Sequence, residues 1–387
     1  MTLAAKAHAH VAESRRRKLE HRDGPQGPEI SISGRSLVNF CSNDYLGLAS
    51  DPRLIEAASR AAMRYGLGAG AAGLLSGWAR PHHELAEELA SYLGRDRALL
   101  FSSGYLANLG TLSTFADRHS EIFQDRLNHA SLIDGVRLST ARSVRYRHRD
   151  LADLEARLAA STAETRLIVT DTIFSMDGDS APLRDIAAAA HQHQALLVCD
   201  DAHGFGVAGG GRGLVVEQGL TQSEAPLVMV TFGKALGTAG AAVVGREDLI
   251  ETLLQQARPF IYDTAQPPML AAATQVALRI LQEEPERIAA LDARIGHFTA
   301  CMRAAGLEPS GMRSPIQPIM LGADEKALQA ASLLRASGFY VRAIRPPTVP
   351  EGTARLRICL SAAHQDAQIE ALVEALAQVL AALKAEP

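Results

Sequence analysis

A chain of 387 residues is longer than one small core usually spans, so two domains are expected. With 47% hydrophobic and 21% charged residues it reads as an ordinary globular protein, and a net charge of −4 supplies no global basic field for nucleic acid. No run of 18 apolar residues is present, which excludes a helical membrane span; four scattered cysteines, Cys41, Cys199, Cys301 and Cys359, without a C-x-x-C pair, fit a reduced, cytoplasmic protein.

In chain order, residues 1–20 read as a helix without the apolar core of a secretory signal. Its tract Arg15-Arg16-Arg17-Lys18 is read as a solvated helix face rather than a nucleic-acid patch. After the loop Asp23-Gly24-Pro25-Gln26-Gly27-Pro28, short strands are expected at 30–32 and 37–40 around Gly34, then a helix from about Pro52. Strand and helix patterns alternate from there to about residue 280. Strands are expected at 98–101, 121–123, 167–170, 195–199, 227–230 and 241–244, with helices such as 82–93 and 151–158 between them. That alternation predicts an α/β fold, a mostly parallel central sheet flanked by helices. Charge and proline in Glu283-Glu284-Pro285-Glu286 interrupt the pattern. Residues 284–387 are expected as a smaller α+β domain with helices at 287–305, 325–337 and 365–384 and strands at 316–321 and 356–360. The large domain is then 45–283, preceded by an N-terminal helix and short strands over 1–44.

Two strand ends carry the chemistry. The apolar run Val228-Met229-Val230 leads through Thr231-Phe232-Gly233 to Lys234, and Leu196-Leu197-Val198-Cys199 leads to Asp200-Asp201-Ala202-His203-Gly204. Open α/β sheets bind ligands at the C-terminal strand edge. A lysine and an acid there, 34 residues apart, suit a pyridoxal phosphate (PLP) enzyme, which holds its cofactor on lysine and pairs the pyridine nitrogen with a carboxylate. Asp200 could instead cap a helix, and Asp201 reads as such a cap or as a turn residue; His203 could be a turn histidine or a partner of the ring's phenolic oxygen. Phe101-Ser102-Ser103-Gly104-Tyr105 reads as strand, turn and helix start, an anion site in which Gly104 admits a phosphate, with Thr231 adding a hydroxyl. His129 follows a short strand and could stack on the ring, and Ser175 ends the 167–173 strand. Asp177-Gly178-Asp179 lacks EF-hand spacing and reads as a turn. The glycine tracts 66–73 and 209–213 fit neither a dinucleotide fingerprint nor a Walker motif and read as loops; His191-Gln192-His193 lacks further zinc ligands. No metal site is expected.

Together Ser42-Asn43-Asp44-Tyr45-Leu46-Gly47, the DDAHG and TFGKALG segments and the stretch Ile344–Arg357 resemble the α-oxoamine synthases, fold-type I PLP-dependent transferases, over nearly the whole chain. The resemblance implies that Lys234 carries the cofactor as a Schiff base and Asp200 pairs the pyridine nitrogen. It gives His203 and Ser175 the phenolic oxygen, His129 the ring face, and the Gly104 and Tyr105 amides with Thr231 the phosphate. Lys234, His129, Asp200 and His203 are thereby the catalytic candidates. Arg345 would pair with an amino-acid carboxylate, Thr348 and Asn43 would line the substrate site, and Arg22 would bind the acyl substrate, with Arg17 or Lys18 as alternatives. The segment 344–357 is most like members that condense L-alanine with a pimeloyl thioester, carried by coenzyme A or acyl carrier protein, and release carbon dioxide. Such members are homodimers, and Thr264 would reach the neighbour's phosphate. Ala69 and Ala72 stand where hydroxyls are common in the family, and Asp263 where a small hydroxyl residue is usual. Relatives that use glycine or serine, an aminotransferase, and a catalytically silent module are the competing readings.

Overall fold

Strand and helix alternate through residues 97–231 in the computed structural model, which describes residues 13–385. In chain order the first strands are β1 (Arg22–Asp23), β2 (Glu29–Ile32) and β3 (Arg35–Asn39). Next come β4 (Arg97–Phe101), β5 (Ser120–Asp125), β6 (Arg142–Tyr146), β7 (Thr165–Asp171), β8 (Leu196–Asp200), β9 (Leu227–Thr231) and β10 (Ala241–Gly245). These seven form one sheet in the order β4-β10-β9-β8-β7-β5-β6. β6, β5, β7, β8 and β9 run parallel; β10 is antiparallel to both β9 and β4. All six residues of β5 are buried, as are all five of β10, so neither strand shows an alternating pattern. The core on this sheet includes Phe101, Leu112, Ile122, Val136, Leu167, Val198, Met229 and Val243, each worth about 1.5–3 kcal/mol on burial.

Local chemistry sets the helix starts. Asp51 accepts from Arg53 N at 3.0 Å ahead of Pro52, which opens the helix Pro52–Tyr65 with the proline at its first position. Ser103 Oγ accepts from Leu106 N at 3.2 Å and starts Gly104–Phe115. Asp150 does the same for Leu151–Ala159.

The chain groups into two units, one of residues 43–291 and one joining 1–42 to 292–387. The second unit holds β11 (Ile316–Gly322), β12 (Phe339–Tyr340), β13 (Arg342–Ile344) and β14 (Ala354–Cys359). Its sheets run β1-β2-β3-β12 and β11-β14-β13. Val38 and Asn39 pair in parallel with Phe339 and Tyr340, and His364 Nε2 lies 3.0 Å from the Asn39 carbonyl. Among the described residues no helix is long and apolar enough to cross a membrane.

Three local expectations are corrected. Residues 1–12 of the expected N-terminal helix lie outside the described residues; beyond them only Glu13–Arg15 form a single 3-10 turn, and residues 16–21 are not helical. Side chains hold this stretch instead: Arg15 pairs with Asp324 at 3.0 Å and Glu351 at 2.6 Å, and Arg17 donates to Thr348 at 3.3 Å. β6 was not anticipated, because Arg142, Ser143 and Arg145 leave it almost without buried side chains at the sheet edge. The glycine tract 66–73, expected as loop, runs at its last residue into a π-helical turn, Gly73–Gly77, in which Gly77 lies so close to the Ala71 carbonyl that a Cβ would stand 2.1 Å from it.

Candidate active site

The parallel strands end together, and a cavity of about 160 Å³ opens there. It is lined by Gly104, Tyr105, His129, Ser131, Asp171, Asp200, Ala202, His203, Met229, Thr231 and Lys234. Asp171, Asp200 and Thr231 are the last residues of β7, β8 and β9, the edge at which open α/β sheets receive ligands. Seven residues expected for a PLP site, Gly104, Tyr105, His129, Asp200, His203, Thr231 and Lys234, thus share one cavity.

Lys234 is half-buried in a turn closed on both sides. Phe232 N donates to the Gly240 carbonyl at 2.9 Å, and Gly237 N donates to the Lys234 carbonyl at 2.9 Å. Gly237 has φ +66° and a Cβ there would stand 2.3 Å from Ala49 N, so this turn packs directly on the Leu48–Ala49 backbone. Thr231 Oγ1 donates to the Gly240 carbonyl at 3.1 Å. Gly104 is the first residue of its helix, where unpaired N–H groups gather; a Cβ on it would lie 3.2 Å from Met229 Cε and 3.8 Å from Thr231 Cβ.

Asp200 is 3% exposed, with Oδ1 accepting from Ala202 N at 3.0 Å and Oδ2 from Asn108 Nδ2 at 2.7 Å. His203 Nδ1 lies 2.8 Å from the hydroxyl of Tyr45, which is fully buried and also 3.2 Å from Asn43 Oδ1. His129 caps the helix Ala130–Ser139, and its ring is exposed toward the cavity. Burial lowers its pKa even so, against the opposing pull of Asp200. Burial, and then the neighbouring charge of Asp200, raise the carboxyl of Asp171 well above the carboxylate range; its Oδ2 accepts from His129 N at 2.6 Å. Asp201 is a turn residue whose carbonyl accepts from Gly204 N at 3.1 Å and Phe205 N at 2.8 Å, and whose carboxylate faces the backbone N–H groups of Leu214 and Val215 that open the helix Leu214–Glu217. Its Oδ1 accepts from Thr172 Oγ1 at 2.5 Å, and burial pushes its pKa up to about 7. It fits only because Gly204 and Gly213 have no side chains, since a Cβ on either would stand about 2 Å from a carboxyl oxygen.

The other expected residues lie elsewhere. Ser175 is half-buried in the turn after β7 and does not line the cavity. Thr264 is exposed, forms a bridge with Ala72 and lines a separate small cavity with Asp263, whose Oδ2 accepts from Ser102 Oγ. Asn43 enters through Tyr45. Arg22, Arg345 and Thr348 belong to the other unit: Arg22 is exposed and donates to the Gly24 carbonyl at 2.5 Å, Arg345 donates to the Ser14 carbonyl, and Thr348 accepts from Arg17. Burial lowers the pKa of Arg345. Sequence reasoning passed over Tyr45, Asn108, Ser131 and Asp171. Asp171 alone follows an apolar run, Leu167–Val169, and only its register with Asp200 sets it apart from a turn acid.

Comparison with known proteins places this geometry. Residues 35–376 match the family model "Aminotransferase class I and II". An 8-amino-7-oxononanoate synthase of Methylococcus capsulatus is 53% identical over 359 residues, covering 92% of this chain and 93% of that protein. A serine palmitoyltransferase of S. paucimobilis, solved with PLP and myriocin bound, superposes with a TM-score of 0.91 at 31% identity, covering 95% of this chain and 93% of that one. The crystal structure of 8-amino-7-oxononanoate synthase from Francisella tularensis gives a TM-score of 0.78 at 30% identity, covering 89% and 98%.

Proposed function

This chain belongs to the aminotransferase class I and II family, on its 8-amino-7-oxononanoate synthase branch, and we propose that it condenses L-alanine with a pimeloyl thioester. The products are 8-amino-7-oxononanoate, carbon dioxide and the free thiol of the carrier, coenzyme A or acyl carrier protein, a step of biotin biosynthesis. The observation that carries the reading is the gathering of Lys234, Asp200, His203 and His129 in one cavity beside the N-terminus of Gly104–Phe115.

The cavity fits PLP. Its 160 Å³ is the liquid volume of roughly five water molecules, and the cavity is open to solvent on one side. The helix N-terminus and Thr231 suit a phosphate, Asp200 a ring nitrogen, and Lys234 an aldehyde carbon. When bound, PLP supplies an electron sink for the bonds at the amino acid's α-carbon.

The residues divide the remaining work. Lys234 would hold the cofactor covalently; once the amino acid has displaced it, its Nζ would take the α-proton. Asp200, anchored on both oxygens, would keep a proton on the ring nitrogen. His203, steadied by Tyr45, would address the phenolic oxygen, with Ser175 as a second donor. The Gly104 and Tyr105 amides and Thr231 would bind the phosphate. His129 would stack on the ring and donate to the acyl oxygen as its charge grows. Arg345 would pair with the alanine carboxylate, with Asn43, Thr348 and Arg22 serving the substrates. We further propose a homodimer in the cytoplasm, with Thr264 contributing to the partner's phosphate site. Support for a dimer comes from exposed apolar residues near Thr264, among them Leu74, Leu75 and Tyr262.

The test is thiol release by the purified protein with PLP. Pimeloyl-CoA with L-alanine should be turned over at least tenfold faster than with glycine or L-serine, and faster than acetyl-CoA or palmitoyl-CoA. Preference for serine and palmitoyl-CoA would transfer the assignment to the serine palmitoyltransferase type.

A further inference from the structure

The imidazole of His129 receives two contacts on one ring nitrogen. Nδ1 lies 3.3 Å from Ser131 N and 2.7 Å from Ser131 Oγ. A backbone N–H can only donate, so Nδ1 carries a lone pair rather than a proton. The Ser131 hydroxyl then gives its own hydrogen to Nδ1 and accepts from elsewhere. Asn108 Nδ2 supplies that bond at 2.9 Å, and the second hydrogen of the same amide nitrogen goes to Asp200 Oδ2 at 2.7 Å. Asn108 cannot be turned over, because its oxygen would then face a carboxylate. Its Oδ1 accepts from no donor among the described residues although the side chain is only 1% exposed. The amide is therefore arranged for its two donations. Asp200, Asn108, Ser131 and His129 form a chain with one consistent proton assignment.

We propose that Asn108 and Ser131 are positioning residues that hold His129 as its neutral tautomer with the proton on Nε2 and tie its ring to the carboxylate of Asp200. His129 then presents a hydrogen-bond donor to the cavity and not a base. The purpose of that donor, stabilising an oxygen as it becomes negative, rests on the reaction proposed above. The depression of the ring's pKa by burial agrees with a neutral ring at pH 7.

The tautomer is read directly by 15N-histidine NMR of the PLP-loaded protein near pH 7.5, with His129→Gln identifying the resonances. The expected spectrum has Nδ1 of the unprotonated type and Nε2 of the protonated type. Ser131→Ala removes the 2.7 Å hydroxyl bond and leaves only the longer contact from the backbone N–H, so it should weaken the tautomer preference and lower kcat roughly tenfold, with KM for the amino acid within about twofold, the scale of one lost buried hydrogen bond. Ser131→Thr, which keeps the hydroxyl, should restore the wild-type pattern. A protonated Nδ1 in the wild-type protein overturns the proposal without recourse to any variant, and so does a Ser131→Ala protein whose tautomer and kcat are both those of the wild type. The spectrum does not depend on turnover. A protein with the expected tautomer that releases no thiol from pimeloyl-CoA therefore refutes the reaction and leaves this assignment standing.

Discussion

The backbone around Lys234 is fixed by hydrogen bonds from Phe232 N to the Gly240 carbonyl and from Gly237 N to the Lys234 carbonyl, and Gly237 seats the turn on Leu48–Ala49. Replacing the side chain therefore removes an amine without disturbing the turn. Lys234→Ala should lower thiol release at least about 1,000-fold, since it removes both the covalent hold on PLP and the base. Folding stability should change by less than about 1 kcal/mol, as expected for a half-buried side chain outside the core. Borohydride reduction followed by mass spectrometry should find PLP fixed to the wild-type chain and not to the variant; near-normal turnover in the variant would sink the assignment. Lys234, Asp200 and His203 were legible because each follows an apolar strand, and strand ends are marked in the sequence by where the apolar run stops. Asp171 obeys the same rule but sits behind Thr170, and without the register of β7 on β8 nothing distinguished it from a turn acid. Tyr45 and Asn108 were not legible at all. Their partners lie 158 and 92 residues away, and local pattern carries no trace of such a contact.

Three strand ends are joined by a single imidazole. His148, just past β6, is held at Nδ1 by Asp125, the last residue of β5, at 2.9 Å, and at Nε2 by Asp179, in the turn after β7, at 2.8 Å. Arg149 also pairs with Asp179 at 2.9 Å, and the ring packs edge-on against Phe174 at 4.5 Å. The turn that holds Asp179 was legible from the sequence but its partner was not, because β6 itself escaped notice. This clamp fixes the segment that carries Ser175. Burial alone would lower the pKa of His148, but its bonds to the two carboxylates outweigh it and push it up to about 9. The folded value thus lies above the unfolded one, near 6.5, so the clamp's stabilisation is complete below about pH 6.5 and is lost as pH rises through about 9. Between pH 7 and 10 the wild-type protein should lose about 2 kcal/mol relative to His148→Gln; the figure is less than the full shift implies, because water reaches the pair. Urea unfolding midpoints across that range measure it. A wild-type advantage independent of pH would show that the imidazole is not held charged by these carboxylates.

At the scale of the molecule, fold class followed from alternation, which is a local property that survives into the seven-stranded sheet. The strand β10 was expected at 241–244 but its antiparallel direction did not show itself, since it is as continuously apolar as its parallel neighbours. Nor could a linear pattern reveal that β3 pairs with β12, some 300 residues on, and so draws residues 1–42 into one unit with the C-terminal part. Assembly is different: its sign is apolar surface left over once the chain has folded. Leu74 and Leu75 are 51% and 80% exposed in the π-helical turn, and Tyr262 is 71% exposed. Ala72 bridges to Thr264 and a Cβ on Gly73 would touch Phe260, so the two stretches lie side by side. Leu74, Trp78 and Phe260 also line an open cavity of about 540 Å³. Apolar surface gathered in this way marks an interaction site more often than scattered exposed leucines do. The proposed homodimer accounts for it, and Thr264 would then stand at the interface. Light scattering during gel filtration should give twice the 41.2 kDa chain mass for the wild-type protein and the single-chain mass for Leu74→Asp with Leu75→Asp. The double variant should keep its far-UV circular dichroism, because both side chains are exposed and their loss costs the folded chain little. It should bind PLP at least tenfold more weakly, since Thr264 of one chain would no longer meet the phosphate of the other. A wild-type protein that runs at single-chain mass and still turns over would remove the dimer and confine the phosphate site to the residues around Gly104 and Thr231.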